Sequence, residues 1–380
     1  MLITDVHVFL VDAGRCNHII VKILTDEGLS GLGEATLEGR EVAVAETIRH
    51  FVPFLIGQNP GRIEFLWQAM FRGSFWRGGP ILTSAISGLD IALWDVKGQQ
   101  LGVPVYELLG GAARERVRVY THVGGETPEE AAEMARAIVE EGYTAIKMLP
   151  FCEIDGLIDD WRSMHKGIAF VRAVREAVGD EVDILLDGHG RMTPSTAVQV
   201  AQAMEEFHPY FLEEPIRPES AVSFAQVKAK TSIPIATGER LFSKWDFREV
   251  IEGEYVDYIQ PDLCHAGGIS EVKKIAACAE THYIRVAPHN PNPLSSISTV
   301  ASLHLDIALP NFGIQELLWR PEPWVDEVIV HAPVVKNGYI DLPTGPGLGV
   351  ELNEEAALSH PYTRRDLPHL RHPDGSVADW

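Results

Sequence analysis

Cysteine is scarce in this sequence of 380 residues. Its four cysteines, Cys16, Cys152, Cys264 and Cys278, are far apart and form no C-x-x-C pair. We therefore expect four reduced, mostly buried thiols. The chain also lacks an apolar run of about 18 residues and a positively charged leader before an apolar stretch. Both absences predict a soluble, cytoplasmic protein that neither spans nor binds a membrane.

Positive charge is in deficit, since 32 Lys and Arg stand against 54 Asp and Glu for a net charge of −22. Without a basic cluster, a nucleic-acid-binding surface is not expected. An anionic substrate would then need a local cation, such as a metal ion. The hydrophobic content of 46% and the charged content of 23% are typical of a globular protein. The length predicts one large domain and a smaller one.

Acidic residues and one histidine recur where six successive apolar, strand-like runs end: Asp187, Glu213, Glu239, Asp262, His289 and Glu316. The first three are equally spaced, at an interval that fits one strand, one helix and two short loops. In a (β/α)₈ barrel the carboxyl ends of the strands converge on one face. We therefore expect these side chains to meet in space.

The residues before this repeat have a different pattern. Strand-like segments occupy the first 34 residues, and a helical spacing of apolar residues follows to about residue 112, which predicts a separate α+β domain. The second strand of the barrel places Lys147 near its end. Two polar or mixed segments, 12–18 and 150–162, could each close over a site or simply be loops.

Asp187, Glu213 and Glu239 offer hard oxygen ligands, and no cysteine or paired histidine beside them favours zinc. Three carboxylates with room for substrate and water suit Mg²⁺, or alternatively Mn²⁺, in octahedral geometry. Without a cation, three anions brought together would repel one another. Solvated strand ends, the other interpretation, do not explain the equal spacing.

His289 and Asp262 are predicted on neighbouring strand ends, where a hydrogen bond would orient the imidazole and raise its basicity. This pair is a candidate general base. His189 lies two residues beyond Asp187 and could donate a proton, and Glu316 could stabilise a developing oxyanion if it were protonated. A divalent metal beside a histidine base favours removal of the proton α to a carboxylate.

These residues resemble the mandelate racemase subgroup of the enolase superfamily, and within it the D-galactonate dehydratases. The segments that carry the resemblance extend over nearly the whole chain: 77–82, 187–191, 212–215, 238–240, 260–262, 265–269, 315–316 and the tail 371–380. The resemblance implies a modified TIM barrel, (β/α)₇β, at 114–325. An α+β capping domain would comprise 1–113, and the C-terminal segment 326–380 would pack on it.

The resemblance further implies one Mg²⁺ on Asp187, Glu213 and Glu239, and His289 as the base with Asp262 behind it. His189 would expel the 3-hydroxyl group as the acid, and Glu316 would stabilise the intermediate. The product would be a 2-keto-3-deoxy sugar acid, and the family forms homo-oligomers, from dimers to octamers.

The sequence departs from the galactonate pattern beside the expected substrate. The departures lie at Asn290-Pro291-Asn292-Pro293, at Leu317 to Arg320 and in the loop around Arg15. Lys147, Arg15, Asn290 and Trp319 are the predicted substrate-binding residues. We expect an aldonate, D-galactonate first, with gluconate, mannonate or a pentonate as alternatives.

Two other activities fit the sequence less well. Leu149 stands where racemases of this subgroup carry a second lysine, so an epimerase or racemase is disfavoured. A non-catalytic, metabolite-binding member of the family would be expected to have lost part of the constellation, and no part is missing from the sequence.

Overall fold

The computed structural model of the chain describes residues 1–151, 158, 160–291, 294–317, 324–367, 369–372 and 374–379. The N-terminal part begins with an antiparallel sheet of three strands, β1 (Ile3–Asp12), β2 (Asn17–Thr25) and β3 (Ser30–Glu34). Four helices follow: α1 (Glu41–Leu55), α2 (Ile63–Arg72), α3 (Pro80–Leu101) and α4 (Val105–Leu109). Strand β3 packs so closely on α3 that a Cβ on Gly33 would lie 2.0 Å from the carbonyl oxygen of Gly88. This sheet-and-helix unit is called the cap below.

Parallel strands alternate with helices after the cap. The strands are β4 (Arg116–Val123), β5 (Ala145–Met148), β6 (Asp183–Asp187), β7 (Phe211–Glu213), β8 (Ile235–Thr237), β9 (Tyr258–Ile259), β10 (Arg285–Val286) and β11 (Gln315–Glu316). Each pairs in parallel with the next in sequence from β4 to β10. Strand β11 pairs back with β4, and a bridge from Val286 to Phe312 joins β10 to the segment before β11.

Four of the seven helices between these strands start at a side chain that accepts a main-chain N–H. The seven are α5 (Pro128–Glu140), α6 (Trp161–Val178), α7 (Pro194–Met204), α8 (Ala221–Lys228), α9 (Lys244–Glu252), α10 (Gly268–Glu280) and α11 (Ser296–Ala308). Thr127 and Thr193 accept a main-chain N–H at the start of α5 and α7, and a proline follows each of them. A side-chain acceptor followed by proline is a strong helix start, because proline needs no hydrogen-bond acceptor at the first position.

The parallel strands enclose a separate apolar layer. Each strand, or the residue beside it, contributes one member: Tyr120, Ala145, Leu185, Phe211, Ala236, Tyr258, Ala287 and Ile314. Large and small side chains together fill the space inside the strands, as in a packed barrel core. Since side chains on a strand alternate between faces, the residue two positions further along each strand points into the same space.

The C-terminal segment contacts both the strands and the cap. It contains α12 (Val325–Val328), β12 (Ile329–Val330), β13 (Val335–Lys336), β14 (Tyr339–Asp341), β15 (Glu351–Leu352) and α13 (Glu354–Ser359). Strand β14 pairs antiparallel with β4, while the main-chain N–H of Thr363 donates to Asn17 and Arg365 pairs with Asp12. Among the described residues, no helix has the length and apolar character that crossing a membrane requires.

Candidate active site

A polar layer stands directly above the apolar one, at the carboxyl ends of the strands. Seven of its members each follow a residue of the apolar layer by two positions: His122, Lys147, Asp187, Glu213, Gln260, His289 and Glu316. Glu239 lies one residue further along its own segment, after Gly238, whose φ of 141° favours glycine. The alternation of strand side chains thus explains why the seven residues other than Glu239 face one space.

Asp187, Glu213 and Glu239 lie together as the repeat predicts, with one carboxylate oxygen of each within 4.8 Å of the others. Glu213 is fully buried, and its Oε2 has no hydrogen-bond partner. Burial and the neighbouring Asp187 and Glu316 raise the pKa of Glu213 well above its usual range, although Lys147 opposes this. A divalent cation would satisfy the orphaned oxygen and favour ionisation, so this all-oxygen donor set fits Mg²⁺.

The buried side chain of Lys147 is surrounded by three carboxylates. Its Nζ is 2.6 Å from Glu213, 2.8 Å from Glu316 and 3.4 Å from Asp187. The buried ammonium donates a hydrogen bond to Glu213, and Glu316 and Asp187 lie within ion-pair distance of it. The structure therefore places Lys147 among the three carboxylates, and its predicted contact with the substrate stays a prediction.

His289 and Asp262 form the hydrogen bond predicted from their neighbouring strand ends. The distance from His289 Nδ1 to Asp262 Oδ2 is 2.8 Å, and the main-chain N–H of Cys264 donates to Asp262 Oδ1 at 2.7 Å. The other ring nitrogen of His289 is 3.5 Å from Glu239 Oε2. Burial opposes protonation, but Glu239 and Asp262 outweigh it and raise the pKa of His289 to about 10. A cation on Glu239 would offset that carboxylate and bring the pKa closer to neutrality, where a histidine is an effective base.

Glu316 is buried and accepts hydrogen bonds at both oxygens. His122 Nε2 lies 2.6 Å from Oε1, and the main-chain N–H of Asn290 donates to Oε2 at 2.8 Å. Burial favours the neutral acid, but Lys147 and His122 outweigh it and hold the pKa of Glu316 well below its usual range. Its surroundings therefore favour an ionised acceptor, whereas the sequence-based hypothesis required a protonated donor.

The remaining predicted residues are placed less centrally. His189 follows β6 with a φ of 52°, and its main-chain N–H donates to Asp187 Oδ1 at 2.7 Å. Asn290 is buried, and its Nδ2 donates to Thr299 Oγ1 on α11; its predicted contact with the substrate stays a prediction. Arg15 is exposed on the β1–β2 loop. Trp319 lies outside the described residues.

Three residues without a predicted role belong to this region. His122 follows Tyr120 of the apolar layer by two positions, a signal that the search for acidic strand ends missed. His265 lies beside Asp262, with 3.5 Å between Nδ1 and Oδ2. Glu38 from the cap lies close enough to His289, His265 and His189 for their charges to interact, and burial raises its pKa. No sequence pattern indicated Glu38, because it stands outside the strand repeat.

Two family models match the chain. Residues 6–110 match the mandelate racemase/muconate lactonizing enzyme N-terminal domain, and residues 129–356 match the enolase C-terminal domain-like family. The chain belongs to the enolase superfamily. Its architecture is accordingly the N-terminal cap and C-terminal barrel of that superfamily, with mixed α and β content.

Curated relatives of this enolase-superfamily chain align over nearly its whole length. A D-galactonate dehydratase of Ralstonia nicotianae (strain ATCC BAA-1114 / GMI1000) is 43% identical over 370 residues, covering 95% of this chain and 96% of the relative. A D-mannonate dehydratase of Caulobacter sp. (strain K31) is 39% identical over 402 residues, covering 100% of this chain and 99% of the relative. A crystal structure of an enolase from Pantoea ananatis with bound D-gluconate and Mg superposes with a TM-score of 0.93 at 35% identity, covering 99% of both chains.

Proposed function

We propose that this protein is a hydro-lyase that dehydrates a sugar acid to a 2-keto-3-deoxy acid. The observation that carries the proposal is the 2.8 Å His289–Asp262 hydrogen bond beside the trio Asp187, Glu213 and Glu239. Full-length similarity to D-galactonate and D-mannonate dehydratases supports the same reaction. An aldonate is the substrate class, with D-galactonate first and gluconate, mannonate or a pentonate as alternatives.

The three carboxylates of the trio are the proposed ligands of Mg²⁺, with Mn²⁺ as an alternative. The bound cation would supply positive charge where a substrate carboxylate gains negative charge as its α-proton leaves. Lys147 partly neutralises the trio through contacts of 2.6 and 3.4 Å with Glu213 and Asp187. We assign it to charge balance within the site, with its effect on substrate binding exerted through these carboxylates.

His289 is the proposed base that removes the α-proton. Its Nδ1 is held by Asp262, which leaves Nε2 to accept the proton and stabilises the imidazolium that results. His189, beside Asp187, is the proposed acid that protonates the departing 3-hydroxyl group. Glu316 would stabilise the intermediate by holding His122 and the Asn290 main-chain N–H in place.

The finer architecture belongs to the same proposal. The pairing of β11 with β4, together with the bridge from Val286 to Phe312, supports a modified (β/α)₇β barrel. We infer a capping domain at 1–113, a barrel at 114–325 and a C-terminal segment at 326–380. Arg15 and Trp319 remain proposed substrate contacts, and a homo-oligomer remains the expected assembly, which sedimentation can test.

A screen tests the function directly. Purified protein with Mg²⁺ would be incubated with a panel of aldonates, and 2-keto-3-deoxy acid formation would be measured. Turnover of at least one aldonate is expected, and His289→Asn should reduce it by a factor of about 10² to 10⁴. If magnesium-loaded protein leaves every aldonate in the panel intact, the proposal is wrong. If His289→Asn retains normal turnover, the assignment of the base is wrong.

A further inference from the structure

A second group of metal-ligating side chains lies beside the proposed base and differs chemically from the carboxylate trio. Asp262, His265 and His289 each present one ligand atom, and these atoms all lie within 4.8 Å of one another. Asp262 is fully buried, whereas each histidine side chain keeps slight exposure, 14% for His265 and 13% for His289. A small ion from solvent can therefore reach the two imidazoles.

Hydrogen bonds already fix which atom of each group is offered. A main-chain carbonyl oxygen can only accept, so the 2.9 Å contact between Thr36 O and His265 Nε2 places a proton on that nitrogen. In the neutral ring, Nδ1 then presents a bare lone pair toward Asp262 Oδ2 at 3.5 Å. A cation between these two atoms would be bound by both of them. A histidine whose second N–H donates to a backbone carbonyl is also the usual orientation of a metal-bound imidazole.

Asp262 is oriented toward both rings. Cys264 donates its main-chain N–H to Oδ1 at 2.7 Å, which leaves Oδ2 for the two imidazoles. The main-chain N–H groups of His265 and Ala266 donate to the Asp262 carbonyl oxygen, so a tight turn holds His265 beside that carboxylate. The strand end that carries His289 supplies the third group.

The distances suit zinc. Zinc–ligand bonds of about 2.0–2.1 Å in tetrahedral geometry place ligand atoms about 3.3 Å apart. The 3.5 Å separation of His265 and Asp262 is within about 0.2 Å of this value, and the 2.8 Å separation of His289 and Asp262 would need to open by about half an ångström. Two imidazoles and one carboxylate favour Zn²⁺, Co²⁺ or Ni²⁺, whereas the trio of carboxylates favours Mg²⁺.

We propose that Asp262, His265 and His289 form a second, inhibitory site for Zn²⁺ and similar transition-metal ions. Binding would replace the proton of His289 Nδ1, which is released to solvent, and would take Asp262 away from its role behind the base. The inhibitory consequence rests on the proposed dehydration, but the binding does not. Zinc binding is therefore measured by itself, without substrate.

Zinc binding is measured on the full chain in saturating MgCl₂, by equilibrium dialysis against ZnCl₂ with metal analysis of the protein. The exposed thiol of Cys278 is first removed as Cys278→Ser, because it could bind zinc independently. One Zn²⁺ per chain is expected to resist excess Mg²⁺, and His265→Gln should weaken it by on the order of 100-fold. The matched control is His282→Gln, since His282 lies 3.2 Å from the carboxylate of Glu254 on the surface, and it should leave zinc binding unchanged.

Three results would overturn the site. They are the absence of magnesium-resistant zinc, equal affinity in His265→Gln, and loss of zinc in His282→Gln. Should His265→Gln fail to fold, the absorption spectrum of the Cys278→Ser protein with Co²⁺ decides. Co²⁺ of low coordination number with imidazole ligands gives intense absorption bands, which supports the proposal. The weak spectrum of Co²⁺ in an octahedral all-oxygen site would contradict it. If no aldonate is dehydrated but zinc binds as expected, the proposed function fails and the metal site stands.

Discussion

The free energy of unfolding of wild type, measured relative to that of His304→Gln, should fall as the pH drops below neutrality. His304 is fully buried on α11. Its Nδ1 accepts the main-chain N–H of Tyr106 at 3.2 Å, and Nε2 donates to the carbonyl oxygen of Leu348 at 3.1 Å. Because an N–H can only donate and a carbonyl can only accept, these partners fix the neutral tautomer. A proton on Nδ1 would face the Tyr106 N–H and remove one of the hydrogen bonds between α11 and α4.

The size of the effect follows from the pKa. Burial lowers the pKa of His304 from 6.5 to about 4, although the bond to Leu348 opposes this. Between these two values the unfolded chain binds a proton that the folded protein does not, so the free energy of unfolding falls as pH falls. The contribution is fully present above pH 6.5. About 2 kcal/mol should be lost between pH 6.5 and pH 5, at about 1.4 kcal/mol for each pH unit.

Urea unfolding from pH 8 to pH 5 measures this contribution as the difference between wild type and His304→Gln. Glutamine offers one donor and one acceptor but does not titrate, so the difference in unfolding free energy should shrink as the pH falls. His50→Gln, at an exposed histidine, is the matched control and should give a constant difference. Parallel curves for wild type and His304→Gln would refute the reasoning.

Three further predictions concern other groups. Burial raises the pKa of Asp90 to about 7 despite hydrogen bonds from Ser270, so the folded protein holds a proton that the unfolded chain has released. The contribution of Asp90 to the free energy of unfolding should therefore fall as the pH rises from about 4 to 7. Asp90→Asn should abolish that pH dependence in the same urea experiment. Glu213→Gln should weaken Mg²⁺ binding by on the order of 100-fold in calorimetry, and unchanged affinity would remove Glu213 from the ligand set. His122→Phe breaks the 2.6 Å contact with Glu316 and should lower kcat by about 10- to 100-fold with the magnesium Kd unchanged, so a shift in that Kd would contradict the assigned role.

The sequence predicted those parts of the site that depend on strand spacing alone. Asp187 and Glu213 end paired strands in register, and a repeat of apolar runs is sufficient to place them side by side. The repeat of acidic strand ends did not indicate His122, because its strand does not end in an acidic residue. Its position two residues after Tyr120 nevertheless satisfies the same alternation. The contact between His265 and Asp262 depends on a main-chain turn, which the spacing of residues along the chain does not specify.

Protonation was harder to predict than position. The sequence-based role of Glu316 assumed a protonated carboxyl group, which burial alone would favour. The structure adds Lys147 at 2.8 Å and His122 at 2.6 Å, and these contacts reverse the direction of the pKa shift. Such contacts join strands that are distant in sequence, so the charges around Glu316 cannot be read from any one segment of the chain.

The cap positions the proposed base from two directions. Thr36 holds His265, which lies against Asp262, through its carbonyl oxygen. Glu34, two residues earlier, accepts the main-chain N–H groups of Ser295 and Ser298 at the start of α11, the helix that follows His289. Both anchors are buried and come from one short segment of the cap, so a substitution that moves this segment would displace Asp262 and His289 together. A substitution in this cap segment that changes substrate preference would therefore also alter the geometry of proton removal.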